Sequence, residues 1–315
     1  MSLPRIAIAI GDPAGIGPEL ALKTALDARV RAIAAPVLVG DPLVIAAHAA
    51  GAGLGSRLAE VALLPRAQFA PGEFVLGSVS AQNGRASLDY AAAAIAAARA
   101  GEVKGVVAAP MNQTAIAAAG IAFDGYPGFL ARQCGVPEAD VFLMLCFDTT
   151  RIVHVTLHVP VRAALDLLTQ ARITHAILAA DAALKRLGIA QPRIGVGGLN
   201  PHAGEGGLFG REDDAVTAPA IAAARAAGAT VDGPFGTDTM FHKPGYDAFT
   251  VMLHDQGHIA AKMVAAHRTA GLAIGTEVLF SSVAHGSGHD IAGRGQADPT
   301  AMIAAVHRLC GQTPA

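Results

Sequence analysis

The segment Leu253 to Lys262, LHDQGHIAAK, brings a histidine, a carboxylate, an amide and a lysine together directly after an apolar run, Ala248 to Leu253, that reads as a buried strand. Polar groups crowded at the end of a strand mark the place where α/β proteins bind ligands. Two further histidines have comparable settings: His158 follows IVHVTL, and His202 lies in GGLNPHAGEGG. If His158, His202 and His254 meet in space, three neutral imidazoles would suit Zn, Co, Ni or Fe better than a hard oxygen-seeking ion, with positions left open for substrate. A lone histidine is more often a satisfied core or surface residue. His154, which alternates with its strand neighbours, reads as that kind.

Two glycine-rich stretches accompany the histidines. GDPAGIGPEL (Gly11 to Leu20) follows a first strand and opens a first helix, with glycines at 11, 15 and 17 that permit a tight turn. Its spacing is neither G-x-G-x-x-G nor a P-loop, and as a bare turn it reads first as structural. The second stretch, SSVAHGSGHDIAGRGQADP (Ser281 to Pro299), holds a tight loop at His285, Gly286, Ser287 and Gly288. Asp290 just beyond could accept from the two hydroxyls of an adenosine ribose, as a carboxylate does in nicotinamide dinucleotide sites.

The elements that must position these residues alternate. RIAIAI, a helix from Pro18 to Arg31, PVLVG, a helix from Leu43 to Ala50, a helix from Ser87 to Ala100 and the strand VKGVVAAP argue for an α/β sheet with parallel strands. In the middle, VFLMLCF and RIVHVTL are separated only by Asp148, Thr149 and Thr150, which predicts an antiparallel hairpin. Helices Val161 to Leu168 and Ile173 to Leu187, the strand RIGVGGL, a helix after Asp214 and the strand AFTVML follow. Two α/β lobes are expected, one of residues 1–136 plus 259–315, the other of residues 137–258.

The chain has 315 residues, enough for two lobes, with 52% hydrophobic and 15% charged residues. Its mean hydropathy of +0.44 reflects alanine more than strongly apolar residues, and no run long enough to span a bilayer escapes Gly, Pro or charge. The apolar segment in MSLPRIAIAIGDP is too short for a secretion signal. A net charge of −2 gives no footprint for nucleic acid. Three widely spaced cysteines, Cys134, Cys146 and Cys310, form no C-x-x-C pair and suggest buried thiols in a reducing compartment, hence a cytoplasmic protein acting on small molecules.

GDPAGIGPE, GLNPHAGEGG, the Asp-Thr of GTDTMF, HDQG and AGRG-x-AD together resemble the metal-dependent 4-hydroxythreonine-4-phosphate dehydrogenases of pyridoxal phosphate synthesis and their relatives, over nearly the whole chain. The resemblance implies a two-lobed isopropylmalate/isocitrate dehydrogenase-like α/β fold with a cleft between the lobes, distinct from a Rossmann domain, in a homodimer whose active site is shared between subunits. It implies that His158, His202 and His254 bind a divalent metal (Zn, Co, Mg or similar), with His254 given by the partner subunit. Asp238, Asp255 and Lys262 would line the same pocket, with Lys262 or Asp255 as the base. NAD would meet His285, Gly286, Asp290, Ile291 and Asn200.

The departures from the family bear on substrate. Relatives acting on the phosphorylated threonine carry Gly-His-Thr-Glu where this chain has Gly125-Tyr126-Pro127-Gly128, and a lysine where it has Gln113. Gly271 and Phe280 stand where those relatives carry an asparagine and an arginine. Each change removes a donor or charge suited to phosphate. GIAFDGYPGFLA, RIVHVTLH, MLHDQGHI and SSVAHGS resemble instead the branch acting on terephthalate dihydrodiols. Tyr126, Gln113 and Lys262 would then face substrate. The resemblance implies NAD- and metal-dependent oxidation and decarboxylation of a β-hydroxy carboxylate, with the vitamin-pathway reaction as the alternative and a non-catalytic ligand-binding relative as a remote one.

Overall fold

The computed structural model describes residues 2–265, 269–283 and 285–312. Its strands are β1 (Arg5–Ala9), β2 (Ala35–Gly40), β3 (Ala62–Pro65), β4 (Gly105–Ala108), β5 (Phe142–Phe147), β6 (Thr150–His154), β7 (Arg193–Gly197), β8 (Thr230–Phe235), β9 (Ala248–Val251), β10 (Ala270–Ile274) and β11 (Leu279–Ser282). The chain divides into two compact units, one of Met1–Phe129 with Glu277–Ala315, the other of Leu130–Thr276.

In the first unit the strand order is β3-β2-β1-β4-β11, with every pair parallel. Ile6, Ala7, Ile8 and Ala9 are all fully buried, as expected of a parallel strand covered on both faces. The expected helix Pro18 to Arg31 is two helices, Gly17–Leu26 and Ala28–Ile33. Asp27 leaves the helical region between them, and its carboxylate accepts from Arg29 N and Val30 N, so a side-chain cap ends one helix and starts the next. The helix expected from Ser87 begins earlier, spanning Ala81–Arg99, because Ser80 caps it by accepting from Asn83 N. Gly84 is a contact point inside that helix: a Cβ there would lie 2.2 Å from Ala115 O.

In the second unit the order is β10-β5-β6-β9-β7-β8. β5 pairs antiparallel with β10 and β6, while β6, β9, β7 and β8 run parallel. The β5–β6 hairpin is the one expected, and Asp148 makes its turn at φ 43°, a conformation that Asp tolerates better than most residues. Leu145, Phe147, Ile152, Phe249 and Val251 of the sheet pack with Met240, Ala261 and Ala265 in one buried cluster. Each large apolar side chain buried this way contributes about 1.5–3 kcal/mol, which makes the sheet a firm base for what its strand ends carry.

Two of the cluster's members come from the helix His254–Ala265, which follows β9 directly. Its other face is unusually apolar: Ile259, Met263 and Val264 are 55%, 83% and 64% exposed. None of the three cysteines is in a disulfide; Cys134 and Cys146 are buried and Cys310 is partly so. Among the described residues no helix is long and apolar enough to cross a membrane.

Candidate active site

The HDQGH sequence at the start of the helix His254–Ala265 has a separate physical task for each residue. Gln256 ties the β9 end to the β7 end: its Oε1 accepts from Met252 N and Leu253 N, both at 2.9 Å, and its Nε2 donates to Gly198 O at 3.0 Å. Gly257 lets the helix approach β6, since a Cβ there would sit 2.3 Å from His154 Nε2. His154 is fully buried, with Nδ1 3.4 Å from Leu143 O. A carbonyl only accepts, so His154 Nδ1 carries the proton and its bare Nε2 accepts from His258 Nδ1 at 3.1 Å. His258 in turn stacks on His254, with centroids 3.8 Å apart and planes 11° from parallel.

This row of rings is neutral in its buried part. Burial, helped by the neighbouring His258, holds His154 down to about 3. Burial, then the nearby His254, holds His258 down to about 4. His254 Nδ1 donates to Asp255 Oδ1 at 2.7 Å, which leaves His254 Nε2 as the nitrogen with a free lone pair. A carboxylate on the far nitrogen is the usual support of a metal-binding histidine. The His158 ring lies 5.4 Å from the His254 ring, and both line a cavity of about 420 Å³ with Thr156, Leu157, Leu253 and Asp255.

His202 is held by a strained loop. His202, Ala203, Gly204, Glu205 and Gly206 all have positive φ, between 44° and 84°. Each L residue there costs of order 1–3 kcal/mol, and such strain persists only where the surroundings enforce it. Asp213, fully buried, supplies much of the restraint by accepting from Leu199 N, Asn200 N and Thr217 Oγ1. It sits in a π-helical turn, Asp213–Thr217, a form that recurs at functional sites. His202 Nδ1 donates to Glu205 Oε2 at 2.8 Å, again leaving Nε2 bare, and His202 lines a second cavity, of about 580 Å³, with Asn200, Asp238, Phe241, Asp255 and Gln256.

Of the expected site residues, one chain therefore gathers His158, His254 and Asp255 at one cavity, and Asn200, His202, Asp238 and Asp255 at the other. The three expected metal ligands do not form one cluster within it: among the described residues no group of three or more His, Cys, Asp or Glu could hold a metal ion. Lys262 is exposed on the His254–Ala265 helix, one turn beyond His258. Asn200 donates to Glu212 Oε2 and lies in the second unit, whereas His285, Gly286, Asp290 and Ile291 belong to the first. In that loop Gly288 is left-handed at φ 49°, a Cβ at Gly286 would meet open space, and His285 and Asp290 are exposed.

Gln113 is exposed at the start of the helix Gln113–Ala118. The Tyr126 hydroxyl donates to Ala109 O at 3.1 Å, and its ring lies 4.8 Å from that of Phe280. Burial raises the Tyr126 phenol. Phe280 is a core residue, 1% exposed, beneath Tyr126. Sequence reasoning missed His258, Gly257 and Asp213; the four-residue spacing of His254 and His258 was the one available signal.

Comparison with known proteins agrees with this architecture. The model of the family "Pyridoxal phosphate biosynthetic protein PdxA" matches residues 23–309. A 1,2-dihydroxy-3,5-cyclohexadiene-1,4-dicarboxylate dehydrogenase from Comamonas sp is 44% identical over 98% of both chains. A 4-hydroxythreonine-4-phosphate dehydrogenase from Beijerinckia indica is 38% identical, over 94% of this chain and 91% of its own. The solved terephthalate 1,2-cis-dihydrodiol dehydrogenase of Burkholderia xenovorans LB400 superposes with a TM-score of 0.81 at 44% identity over the whole of both chains. With its HDQGH turn, left-handed His202 loop and α/β units, the chain belongs to the PdxA family of dehydrogenases.

Proposed function

We propose that this protein oxidises and decarboxylates a cis-dihydrodiol dicarboxylate of the terephthalate type, giving the catechol protocatechuate, carbon dioxide and NADH. The observation that carries the choice of substrate is Tyr126. Its ring rests on Phe280 and its hydroxyl is engaged by Ala109 O, so Gly125–Gly128 offers an aromatic surface where phosphate-handling relatives have donors and charge. The 44% identical relative named for such a diol supports the same choice. The alternative, 4-hydroxythreonine-4-phosphate as substrate, has the support of the 38% identical relative. A non-catalytic role is disfavoured because the histidines, Asp238, Asp255 and Lys262 are all present.

The donors fit a divalent cation: His254 and His202 each have Nδ1 on a carboxylate and Nε2 bare. His158, His202 and His254 would hold it. Because one chain does not gather all three, the site would be completed across a homodimer, and the exposed Ile259, Met263 and Val264 on the helix bearing His254 suit such an interface. A divalent cation held there would act as a Lewis acid that stabilises negative charge on the substrate oxygen, and NAD would supply the hydride acceptor. Lys262 or Asp255 accepts the proton of the alcohol. The ketone so formed is β to a carboxylate, which leaves as carbon dioxide, and the ring becomes aromatic. Asp238, exposed beside the second cavity, would orient polar groups of the substrate.

Incubating the purified protein with the dihydrodiol, NAD and a divalent metal should yield NADH and carbon dioxide in equal amounts, and a metal-stripped sample should yield neither. Full turnover in a demonstrably metal-free sample would overturn the metal assignment.

A further inference from the structure

The GDPAGIGPEL stretch has no part in the reading above, yet within the first unit it grips the loop that carries Asp290. The Asp12 carboxylate is 1% exposed. Its Oδ1 accepts from Ala14 N at 3.0 Å, and its Oδ2 accepts from His289 Nε2 at 2.6 Å. Ile16 N donates to Ser287 O at 2.7 Å, and a Cβ at Gly15 would lie 2.5 Å from that same oxygen, so Gly15 is needed for the close approach. Further along the first helix, fully buried Glu19 accepts from Gly295 N and Ala297 N. Lys23, paired with Glu19 at 2.8 Å, donates to Gly295 O and Ala297 O.

Both ends of the segment 287–297 are thus pinned to residues 12–23. A carboxylate buried as deeply as Asp12 is costly unless paired, and a loop residue, His289, is its partner. The adjacent Asp290 is the opposite case. It is exposed, and its carboxylate makes no hydrogen bond or ion pair with the described residues. One residue of the turn His289–Ile291 is locked and the next is presented.

We propose that Asp12 is a positioning residue for the dinucleotide: by holding His289 it fixes the turn so that Asp290 offers its carboxylate to the ribose diol of NAD. The inference rests on the reading of this loop as the NAD site. Losing the hold lets Asp290 move, which weakens NAD binding and erases discrimination against the 2′-phosphate of NADP. A merely structural role for Asp12 would leave that discrimination intact.

The test is direct titration of NAD and of NADP into the full-length protein, followed by fluorescence or calorimetry, for wild type, Asp12→Asn, His289→Phe and the double variant. Each single variant should lose roughly tenfold in NAD affinity, with the NAD-over-NADP ratio collapsing toward one. The double variant should be no worse than the weaker single, because both act through one contact. Turnover at saturating NAD should change far less than affinity. A folded His289→Phe protein that keeps both its NAD affinity and its cofactor ratio would overturn the proposal. If Asp12 variants fail to fold, His289→Phe still decides, since that side chain is already 18% exposed. Wild-type protein that binds no NAD would instead overturn the cofactor reading, and the role of Asp12 with it.

Discussion

Replacing Gly257 by alanine tests whether the histidine row is as tightly built as its geometry implies. In an open helix the change stabilises by about 1 kcal/mol, because alanine restricts the unfolded chain. At Gly257 the new Cβ would meet His154 Nε2 at 2.3 Å, Ile152 Cγ2 at 2.8 Å and His154 Cε1 at 2.9 Å, and both neighbours are fully buried. Ordinary contacts between such atoms are about 3.5 Å, so the helix must move by roughly 1 Å. Overpacking of this kind costs about 1–3 kcal/mol, which outweighs the propensity gain. Gly257→Ala should therefore lower stability by about 1–2 kcal/mol in urea titration and disturb the His254 ring that stacks on His258. Gly55→Ala, where a Cβ meets nothing within 4 Å, should be neutral or stabilising. Combining Gly257→Ala with His154→Ala should cost less than the sum of the two singles, because the second change removes the clash. A Gly257→Ala protein at least as stable as wild type would refute the packing argument.

Three further outcomes are expected. His154 and His258 titrate near 3 and 4 in the folded protein but near 6.5 when unfolded, so they cost nothing above pH 6.5. As pH falls below 6.5 the unfolded state takes up protons first, so stability should fall steadily with pH; a flat urea midpoint between pH 7 and 4.5 would contradict this. Mixing inactive His202→Ala and His254→Ala chains should restore part of the activity by placing one intact site in each mixed dimer, and no recovery despite proven subunit exchange would count against a shared site. NAD should be preferred to NADP in kcat/KM, because Asp290 would repel a 2′-phosphate, although Arg294 four residues on would soften the preference. A preference for NADP would show that Asp290 does not face the ribose.

Much of this was legible in the sequence because it is local. Apolar runs separated by alanine-rich helices announced the α/β fold, and the short Asp148–Thr149–Thr150 link announced the hairpin; the strand ends pointed to His158, His202 and His254, which one chain divides between two cavities. What was not legible depends on partners far apart in the chain. Asp12 and His289 are separated by 277 residues, and nothing near either names the other. Asp213 reads as one acid among several until its burial and its bonds to Leu199 N and Asn200 N are seen. Nothing in the sequence near Gly257 reveals that its lack of a side chain serves contact with His154, more than a hundred residues away. Phe280 stands in sequence where the resemblance gives relatives an arginine, but its own side chain is 1% exposed and belongs to the core.

The central claim concerns substrate, and one comparison tests it most directly. A phosphate monoester needs several fixed donors, and at Gln113 and Tyr126–Gly128 this chain offers no charged side chain. Losing two charge-assisted hydrogen bonds, each worth about 1.5–3 kcal/mol, should lower turnover of the phosphate ester by roughly a hundredfold or more. Measured side by side with NAD and a divalent metal, kcat/KM should be high for the terephthalate-type cis-dihydrodiol and nearly absent for 4-phosphohydroxythreonine. Efficient turnover of the phosphate ester alone would contradict the account and assign the protein to the vitamin pathway.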